Sequence, residues 1–518
     1  MENKRYPKTT LLALYDPDAI GIRTLASFVK EHEGIQVNQV FFKNLFPSKF
    51  PYTQNEIDTL VNLIKDLDTE LLGISLRSSS YKTAKAIINF VRNEIKDIKI
   101  LIGGTHAILS PEECIELADM VCLGEGEYPF LDLIRNYSDE LKSITKISGL
   151  WVKQNGQIYK NQINELIDIN QIPAIDYSND NKWHIENDTV KAGEPLIENS
   201  VGEIFSSRGC PYHCTYCTNN VLRSIMHEGK FVRLKGVDNV IKDIHNLKGY
   251  FKNLKKIVFA DEVFAFNKNW TIEFCNKYEK HVNMPFAAMF YPNVVREDTI
   301  KMLKDAGLSH ARIGIQAGSE YVRKNLYKRN ETNEKIIELA SLFHKMGIRI
   351  TFDGIVNNPY ETEKDLEESL RFYLEIPKPF ELNLHSLVYF PKTELTEKAL
   401  KDGIIKQEHI EGEADEALRL NHVLLKDKKM IYGYQNNLFW NSLFSLTSKP
   451  FIPSWIINFL SKSRFLKKRP EYLLYIAKIA NIINIGAIGL SLLKRREIGL
   501  KEVYAAAKSF AFTSSVNK

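Results

Sequence analysis

The stretch that decides the fold is Glu203-Ile-Phe-Ser-Ser-Arg-Gly-Cys-Pro-Tyr-His-Cys-Thr-Tyr-Cys217. Its start predicts a β-strand over residues 204–207, and a turn that presents Cys210, Cys214 and Cys217 follows at once. Three thiolates on one loop supply three of the four iron ligands of a cubane cluster and leave one iron open to a further ligand. The stretch therefore predicts a [4Fe-4S] cluster whose open iron is the functional point.

Two other uses of the three cysteines compete with the cluster. A zinc site usually adds a fourth Cys or His at short spacing, and His213 lies inside the loop, where it would project away from its neighbours. A set of structural thiols would need an apolar surround, which Pro211, His213 and Thr215 do not provide. Both alternatives are less favoured, because three soft ligands placed directly after a strand are seldom incidental.

Short apolar strands alternate with helix-period segments on both sides of this stretch. After it, the alternation predicts a full or partial (β/α) barrel, whose chemistry lies at the carboxyl ends of its strands. Before it, the same alternation predicts a Rossmann-like domain with a parallel sheet covered on both faces. The predicted strands are 11–15, 37–42, 71–76 and 98–102 in the first domain and 204–207, 256–260, 286–290, 310–315 and 349–355 in the barrel.

The chain is accordingly predicted to be an α/β protein with four parts. These are a Rossmann-like domain over residues 1–140, a connector over 141–200, a barrel over 201–402 and a helical C-terminal region over 403–518. Asn155-Gly156 predicts a β-hairpin turn in the connector. In the helical region the apolar run 479–493 has 15 residues, fewer than the roughly 20 needed to cross a bilayer, so it predicts a buried helix.

Composition sets the broad class of the protein. The 518 residues carry 69 basic and 64 acidic side chains, a net charge of +5 that is too near balance to imply a nucleic-acid partner. Only six cysteines occur, three of them within eight residues, so no disulfide framework is expected and a reducing compartment is indicated. The N-terminal apolar run before Asp16 is too short for a signal peptide, which predicts a cytoplasmic protein.

The cysteine spacing C-x-x-x-C-x-x-C, with Tyr216 before the last cysteine, resembles the radical S-adenosylmethionine (SAM) superfamily. The resemblance implies that SAM chelates the open iron through its amino and carboxylate groups. It also implies that an electron from a donor such as flavodoxin or ferredoxin cleaves SAM to methionine and a 5′-deoxyadenosyl radical. Tyr216 would lie against the adenine.

Two further segments resemble SAM-contacting motifs of the same superfamily. Phe259-Ala-Asp-Glu262 ends the second barrel strand and resembles the acidic motif that contacts the SAM amino group. Glu262 is the residue implied, with Asp261 the fallback and an exposed acidic turn the alternative. The segment 312–319 resembles the G-I-E-S-G-S segment, although Gln replaces Glu and Ala replaces Ser, and it implies contacts from Gln316 and Ser319 to the SAM ribose or carboxylate.

Glycines and a serine at strand ends mark the N-terminal domain. Gly103-Gly104 after a strand would let a bulky cofactor tail lie against backbone, and Ser75 at another strand end could hydrogen-bond it. These positions, with Asp16-Pro-Asp18-Ala-Ile-Gly21 and the segment 123–127, resemble the cobalamin-binding domains joined to radical SAM barrels. The resemblance implies that Ser75, Gly103 and Gly104 bind cobalamin.

Asp18 stands where a D-x-H-x-x-G motif has the histidine that ligates cobalt, so no lower ligand is expected from that motif. His106 is the nearest alternative ligand, although a polar contact within its loop is favoured. The segment Gly124-Glu-Gly-Glu127 is interpreted as a landmark near the domain junction, because two carboxylates would repel phosphate. The remaining cysteines, Cys114, Cys122 and Cys275, are expected to be buried thiols.

The resemblance implies a cobalamin-dependent methyltransferase that acts on an unactivated carbon of a small molecule or lipid. The alternative is ring formation, rearrangement or oxidation on the same scaffold without methyl transfer. A non-catalytic binding protein is disfavoured by the intact cysteine triad, and a methylthiotransferase by the lack of three further cluster cysteines. The basic, aromatic C-terminal helices predict either a cap packed on the barrel, which is favoured, or peripheral contact with an anionic membrane.

Overall fold

The computed structural model describes residues 5–44, 52–137, 143–226, 231–407, 410 and 434–494. Its architecture is the one expected: an N-terminal Rossmann-like α/β domain, a partial (β/α) barrel and a C-terminal set of helices. Within the predicted helical region, residues 408–409, 411–433 and 495–518 lie outside the described residues.

The N-terminal domain is built on a nine-stranded sheet in the order β7-β6-β5-β4-β3-β1-β2-β8-β9. The strands β1 to β5 and β8 run parallel, and the helices α1 to α5 make the crossovers that connect β1 to β5 in turn. The strands are β1 (Thr9–Leu14), β2 (Asn38–Phe42), β3 (Leu71–Ser75), β4 (Lys99–Gly103), β5 (Met120–Cys122), β6 (Leu150–Gln154), β7 (Gln157–Lys160), β8 (Lys182–Glu186) and β9 (Thr189–Ala192). The helices are α1 (Ile20–Glu33), α2 (Gln54–Asp66), α3 (Tyr81–Glu94), α4 (Thr105–Leu109), α5 (Pro111–Leu117) and α6 (Glu127–Asn136).

The segment 141–200, expected to be a connector, contributes two hairpins to this sheet. The hairpin β6–β7 pairs with β5 on one edge, and the hairpin β8–β9 pairs with β2 on the other. Asn155 and Gly156 form the turn of the first hairpin with φ of 52° and 77°, the geometry in which Asn-Gly is preferred. The segment therefore completes the N-terminal sheet at both edges.

The barrel is an open six-stranded parallel sheet in the order β10-β13-β14-β15-β16-β17. Its strands are β10 (Val201–Ile204), β13 (Lys256–Phe259), β14 (Phe286–Phe290), β15 (Leu308–Gln316), β16 (Arg349–Val356) and β17 (Glu381–Ser386), and a short antiparallel pair, β11 (Ser207–Arg208) and β12 (Arg233–Leu234), follows β10. The helices of the barrel are α7 (Thr218–Ile225), α8 (Val237–Tyr250), α9 (Lys268–His281), α10 (Glu297–Asp305), α11 (Asn333–Lys345), α12 (Glu363–Glu375) and α13 (Glu394–Lys401). Strand β17 was not predicted, because an edge strand of sequence ELNLHS is only half-buried and lacks an apolar run.

The described C-terminal helices are α14 (Tyr434–Thr447), α15 (Ser454–Ser461), α16 (Arg464–Lys468) and α17 (Pro470–Lys494). Helix α14 is buried between the barrel and α17; Phe444 packs edge-on against Tyr373 of α12. Among the described helices, α17 is the one that is long and apolar enough to cross a membrane by length and composition. The expectation of a buried helix is wrong for one side of α17, because only 22% of its most apolar window is buried. The apolar run begins earlier than predicted, at Tyr472, and half of it faces outward.

Candidate functional site

The three predicted cluster cysteines lie in one loop at the mouth of the barrel. Strand β11 ends at Arg208, the loop runs from Gly209 to Cys217, and Cys217 caps the start of α7. Gly209 has φ of 82°, and a Cβ there would lie 2.4 Å from the carbonyl oxygen of Phe231. Only glycine fits this crossing, so the turn that opens the loop is set by Gly209.

Burial changes the acidity of two of the thiols in this loop. It raises the pKa of Cys210 to about 11 and that of Cys217 to about 12, and the nearby carboxylate of Glu262 and the other thiols add to the effect. Among the described residues, no three His, Cys, Asp or Glu side chains are already arranged around a metal position. The three cysteines therefore lie in the same loop, but their sulfur atoms are not yet placed as the ligands of one metal centre. The chemistry of the loop fits a cubane cluster, because it offers three thiols and no fourth Cys ligand beside them.

The cysteine loop is anchored through Thr215. The backbone N–H of Thr215 donates to the carbonyl of Tyr327 at 3.3 Å, and its hydroxyl donates to the carbonyl of Leu326 at 2.6 Å. The N–H of Leu395 donates to the carbonyl of Thr215 at 3.0 Å. The middle of the loop is thus fixed to two segments that are distant in sequence.

Arg329 is a buried cation of the site that was not predicted from the sequence. Its Nη1 lies 3.7 Å from Sγ of Cys214 and 3.4 Å from the hydroxyl of Tyr216, and its Nη2 donates to the carbonyl of Gly314 at 2.6 Å. Its Nε donates to the buried carboxylate of Glu331 at 2.5 Å. In the sequence, Lys328-Arg329-Asn330-Glu331 has the pattern of a solvated charge run, so no local signal marks this arginine.

The two carboxylates of the acidic motif have different environments. Asp261 is fully buried; both of its oxygens accept the backbone N–H of Ser206 at 3.1 Å, and the hydroxyls of Ser206 and Ser207 donate to it as well. Burial raises the pKa of Asp261 to about 6 despite these hydrogen bonds. Glu262 is exposed in a cavity and lies close enough to Cys210 and Cys217 to raise their pKa. This arrangement supports Glu262 as the SAM-facing residue.

The other predicted SAM contacts separate into two groups. Tyr216 packs edge-on against Tyr327 with ring centroids 4.9 Å apart, beside Arg329. Gln316 has φ of 64° at an irregular step between β15 and β16, and its amide folds over Gly314. Ser319, in contrast, is fully buried, and its hydroxyl donates to Asp365 at 2.9 Å. The structure thus places the Ser319 hydroxyl against α12.

The predicted cobalamin-binding residues lie together at the carboxyl ends of two neighbouring strands. Ser75 on β3 and Gly103 on β4 are partners in the register of the sheet. Gly104 has φ of 94°, and a Cβ there would lie 2.8 Å from the carbonyl oxygen of Leu76. Because Gly103 and Gly104 have no side chains, a bulky cofactor tail could approach the backbone at this end of the sheet.

His106, the alternative lower cobalt ligand, and Asp18, from which no ligand was expected, both have surroundings that differ from those of a metal ligand. His106 is buried, with Nδ1 3.0 Å from the hydroxyl of Ser78 and Nε2 3.3 Å from the carboxylate of Glu113, so both ring nitrogens already face protein groups. Burial, reinforced by Asp16, raises the pKa of Asp18. The surroundings of His106 support the favoured interpretation of a polar contact within its loop.

Two cavities lie between the N-terminal domain and the barrel. The smaller junction cavity, about 340 Å³, is lined by Gly21 and Thr24 of α1 and by Glu203, Gly209 and Glu262 of the barrel. The larger junction cavity, about 1350 Å³, is lined by residues that include Ile108 and Leu123 from the N-terminal domain and Met226, Arg233 and Phe266 from the barrel. The larger volume exceeds what drug-sized ligands occupy and fits a large organic cofactor. Gly21 borders open space in the smaller junction cavity, because a Cβ added to it would have no other heavy atom within 4 Å.

Comparison with known families matches both halves of this arrangement. The B12 binding domain matches residues 10–134, and the Radical SAM superfamily matches residues 204–373. The chain is 25% identical over 399 residues to an uncharacterised methyltransferase of Pyrococcus horikoshii, covering 74% of this chain and 79% of the relative. It is 23% identical to the bacteriochlorophyllide d C-8(2)-methyltransferase of Chlorobaculum tepidum, covering 78% of this chain and 84% of the relative.

A third relative has a different named activity, and a solved structure supports the fold. The 4′-phospho-dehydrooxetanocin synthase of Priestia megaterium is 25% identical, and the match spans 69% of this chain but 49% of that protein. The structure of OxsB, a cobalamin-dependent S-adenosylmethionine radical enzyme, with aqua-cobalamin and SAM bound, superposes with a TM-score of 0.60 at 18% identity over 95% of this chain and 73% of OxsB.

The chain therefore carries both domains of the cobalamin-binding class of radical SAM enzymes, a B12 binding domain and a radical SAM domain, as its resemblance indicated. Within that class it is methyltransferase-like, with a [4Fe-4S] cluster, SAM and cobalamin as its cofactors.

Proposed function

We propose that this protein methylates an unactivated carbon of a small-molecule or lipid substrate, with electrons from a donor such as flavodoxin or ferredoxin. The observation that carries the proposal is the smaller junction cavity, which Gly21 of the N-terminal domain and Glu262 of the barrel line together. An acceptor molecule in this cavity would face the predicted SAM site on one side and the N-terminal domain on the other. Two relatives named as methyltransferases support methyl transfer over the alternative.

The bound cofactors supply the reactive chemistry: reductive cleavage of SAM at the cluster and a transferable methyl group on cobalamin. The protein's own residues hold and orient these groups. Cys210, Cys214 and Cys217 are proposed as the cluster ligands, with Thr215 fixing their loop in place. Glu262 is proposed to accept hydrogen bonds from the SAM amino group.

Further residues are proposed to position the cofactors without reacting. Tyr216 and Gln316 are proposed beside the SAM nucleoside, where Arg329 provides a fixed positive charge. Ser75, Gly103 and Gly104 are proposed to accommodate the cobalamin tail. Ser319 is not proposed as a cofactor contact, because its hydroxyl already donates a hydrogen bond to Asp365.

The walls of the smaller junction cavity indicate which acceptors it admits. Isoleucines 20, 169, 172 and 175, with Phe205, give it a mostly apolar lining. Glu203 contributes a carboxyl group to the wall of this cavity. Burial raises the pKa of Glu203 to about 7, and the neighbouring Asp18 and Asp16 add to the effect. We propose an acceptor that is largely apolar and carries one polar group able to hydrogen-bond Glu203.

The test uses protein reconstituted anaerobically with iron, sulfide and cobalamin. With a reductant and SAM it should form 5′-deoxyadenosine and S-adenosylhomocysteine. Cells that express the wild type or Cys275→Ala, fed methionine labelled in its methyl group, should accumulate a labelled metabolite that cells expressing Cys214→Ala lack. A metabolite that changes mass without gaining the label would instead establish ring formation, rearrangement or oxidation.

A further inference from the structure

Helix α17 exposes its apolar residues and turns its carboxamides inward. The exposed positions recur every three or four residues along one side of the helix, and each side chain is at least 43% exposed. They are Tyr472, Tyr475, Ile476, Ile479, Ile482, Ile483 and Leu490. A surface helix of a water-soluble protein carries its polar side chains on this side.

The opposite side of α17 packs on α14. Leu473, Ala477 and Ala480 are buried there, and Asn484 is buried with them. The amide of Asn481 donates to the hydroxyl of Ser445 on α14 at 3.1 Å. Asn481 and Asn484 thus face the protein, whereas most of the outward-facing side chains between Tyr472 and Leu490 are apolar.

Exposed aromatic side chains extend this surface onto the two preceding helices. Trp455 and Phe459 lie one turn apart on α15 and are 70% and 72% exposed. Phe465 on α16 is 61% exposed and stacks on Tyr472 of α17 with centroids 5.5 Å apart. We call the exposed apolar residues of α15, α16 and α17 the C-terminal apolar face. Its extent is far beyond that of scattered surface residues, which need no explanation.

A dense group of cations borders the C-terminal apolar face. Residues 462–469 contain five Lys or Arg residues, and no Asp or Glu occurs from 450 to 470. Lys462, Lys468 and Arg469 are exposed. Tryptophan and phenylalanine beside lysine and arginine are the side chains found where a helix rests on the interface of an anionic bilayer. The cations beside the C-terminal apolar face therefore favour a partner that has an apolar interior and a negatively charged surface.

The attachment of α17 to α14 favours a helix that lies in the interface over one that crosses the bilayer. Crossing would separate the two helices and carry Asn481 and Asn484 into hydrocarbon without their protein neighbours. It would also uncover α14, whose Leu443 and Phe444 are buried.

From this face and its charge we infer that the protein docks on the surface of an anionic lipid bilayer through the C-terminal apolar face, with α15 to α17 in the interface plane. The docking surface is separate from the cysteine loop and the junction cavities. It stands whether or not the bound enzyme transfers a methyl group.

Vesicle co-sedimentation of the full-length protein tests the inference. The protein should sediment with vesicles of phosphatidylcholine and phosphatidylglycerol, less with phosphatidylcholine alone, and less as salt is raised. Ile479→Ser with Ile483→Ser should weaken binding about tenfold or more, and Lys462→Glu with Lys468→Glu should remove the preference for phosphatidylglycerol. Val190→Ser, which changes an exposed apolar residue on β9 that is 41% exposed, should bind as the wild type does.

A fluorescence measurement distinguishes insertion from charge attraction alone. Vesicles should shield Trp455 from an aqueous quencher, and this shielding should disappear in Trp455→Phe while the other tryptophans respond as before. Unchanged unfolding midpoints would show that the variants fold. Failure of the wild type to bind either vesicle would overturn the inference. So would a wild-type dimer that the Ile479→Ser and Ile483→Ser changes dissociate without affecting vesicle binding, because a second copy would then occupy the face.

Discussion

Glu125 of the N-terminal domain and Arg233 of the barrel make a two-point contact. Nη2 of Arg233 donates to Oε1 of Glu125 at 2.6 Å, and Nη1 donates to Oε2 at 2.9 Å. Arg208 donates to the same carboxylate at 3.0 Å and to Glu127 at 2.5 Å. Because Arg208 directly precedes Gly209, these ion pairs tie the N-terminal domain to the base of the cysteine loop. The segment 124–127 thus lies at the domain junction and holds it together.

Replacing Glu125 by Gln should loosen this junction. Two arginines would lose their shared counter-charge in a setting where Glu125 and Arg233 are each only 13% exposed, which should lower the free energy of unfolding by about 2 kcal/mol. Denaturant unfolding monitored by fluorescence measures the change. Glu112→Gln is the control, since the Glu112 side chain is 66% exposed and only 3.9 Å from Lys160; its effect should be within about 0.5 kcal/mol. Equal stability of Glu125→Gln and wild type would contradict the assignment.

Alanine at any one of Cys210, Cys214 or Cys217 should abolish the cluster, because a cubane held by two thiolates lacks the ligands that retain it. Iron and sulfide content and the visible absorbance of anaerobically reconstituted protein measure this. Cys275→Ala should keep the wild-type content, since Cys275 is buried in α9 within the barrel core. Full iron content in all three loop variants would refute the cluster site.

The two acidic neighbours should respond differently to substitution. Glu262→Ala should weaken SAM binding about tenfold, the value of one lost charge-assisted hydrogen bond, while cluster content and stability stay unchanged. Asp261→Ala should instead destabilise the fold by about 2 kcal/mol or more, because Ser206 and Ser207 lose a buried acceptor. Calorimetric SAM titration and denaturant unfolding separate the two effects. Weakened SAM binding in a stable Asp261→Ala variant would move the SAM contact to Asp261.

Cobalamin should bind without a protein nitrogen on the lower face of cobalt. His106 is held between Ser78 and Glu113, and a carboxyl at Asp18 is a hard donor poorly matched to low-valent cobalt. Paramagnetic resonance of the cob(II)alamin form should therefore lack nitrogen splitting of the cobalt lines, and His106→Ala should give the same spectrum. A split signal that vanishes in His106→Ala would identify His106 as the ligand.

Glu203 should make stability depend on pH. Its pKa in the folded protein is about 7, above its ordinary 4.5. A raised carboxyl pKa gives stability that is fully present below 4.5 and is lost as pH rises through 7. The free energy of unfolding of Glu203→Gln, relative to that of wild type, should therefore rise by about 1–3 kcal/mol from pH 5 to pH 8. Denaturant unfolding at both pH values checks this, with Glu198→Gln as an exposed control. A constant difference between Glu203→Gln and wild type would mean that Glu203 titrates normally.

Most strands of both sheets could be predicted because parallel strands buried on two faces are continuous apolar runs. Strands β1 to β4 and β13 to β16 match the predicted segments within a few residues. Strand β17 could not be found in this way, because it is an edge strand with polar side chains. The pairing of β8 with β2 is set by tertiary packing and has no local sequence pattern.

The site was predictable only where its residues are adjacent in sequence. The cysteine spacing and the acidic motif are local patterns. Arg329, in contrast, reaches Cys214 from 115 residues away, and its charged neighbours resemble a solvated turn. The burial of Ser319 against Asp365 depends on how α12 packs, which the segment 312–319 does not encode.

The two hairpins of residues 150–192 determine how large a transferable cobalamin-binding module must be. A fragment that ended near residue 140 would leave β5 and β2 as bare edges, each with a row of unpaired amides and carbonyls open to another chain. Such a fragment would be prone to self-association through these two edges, so a domain boundary near residue 140 would be unfavourable. An autonomous module would have to extend through β9, up to the residues that lead into the first barrel strand.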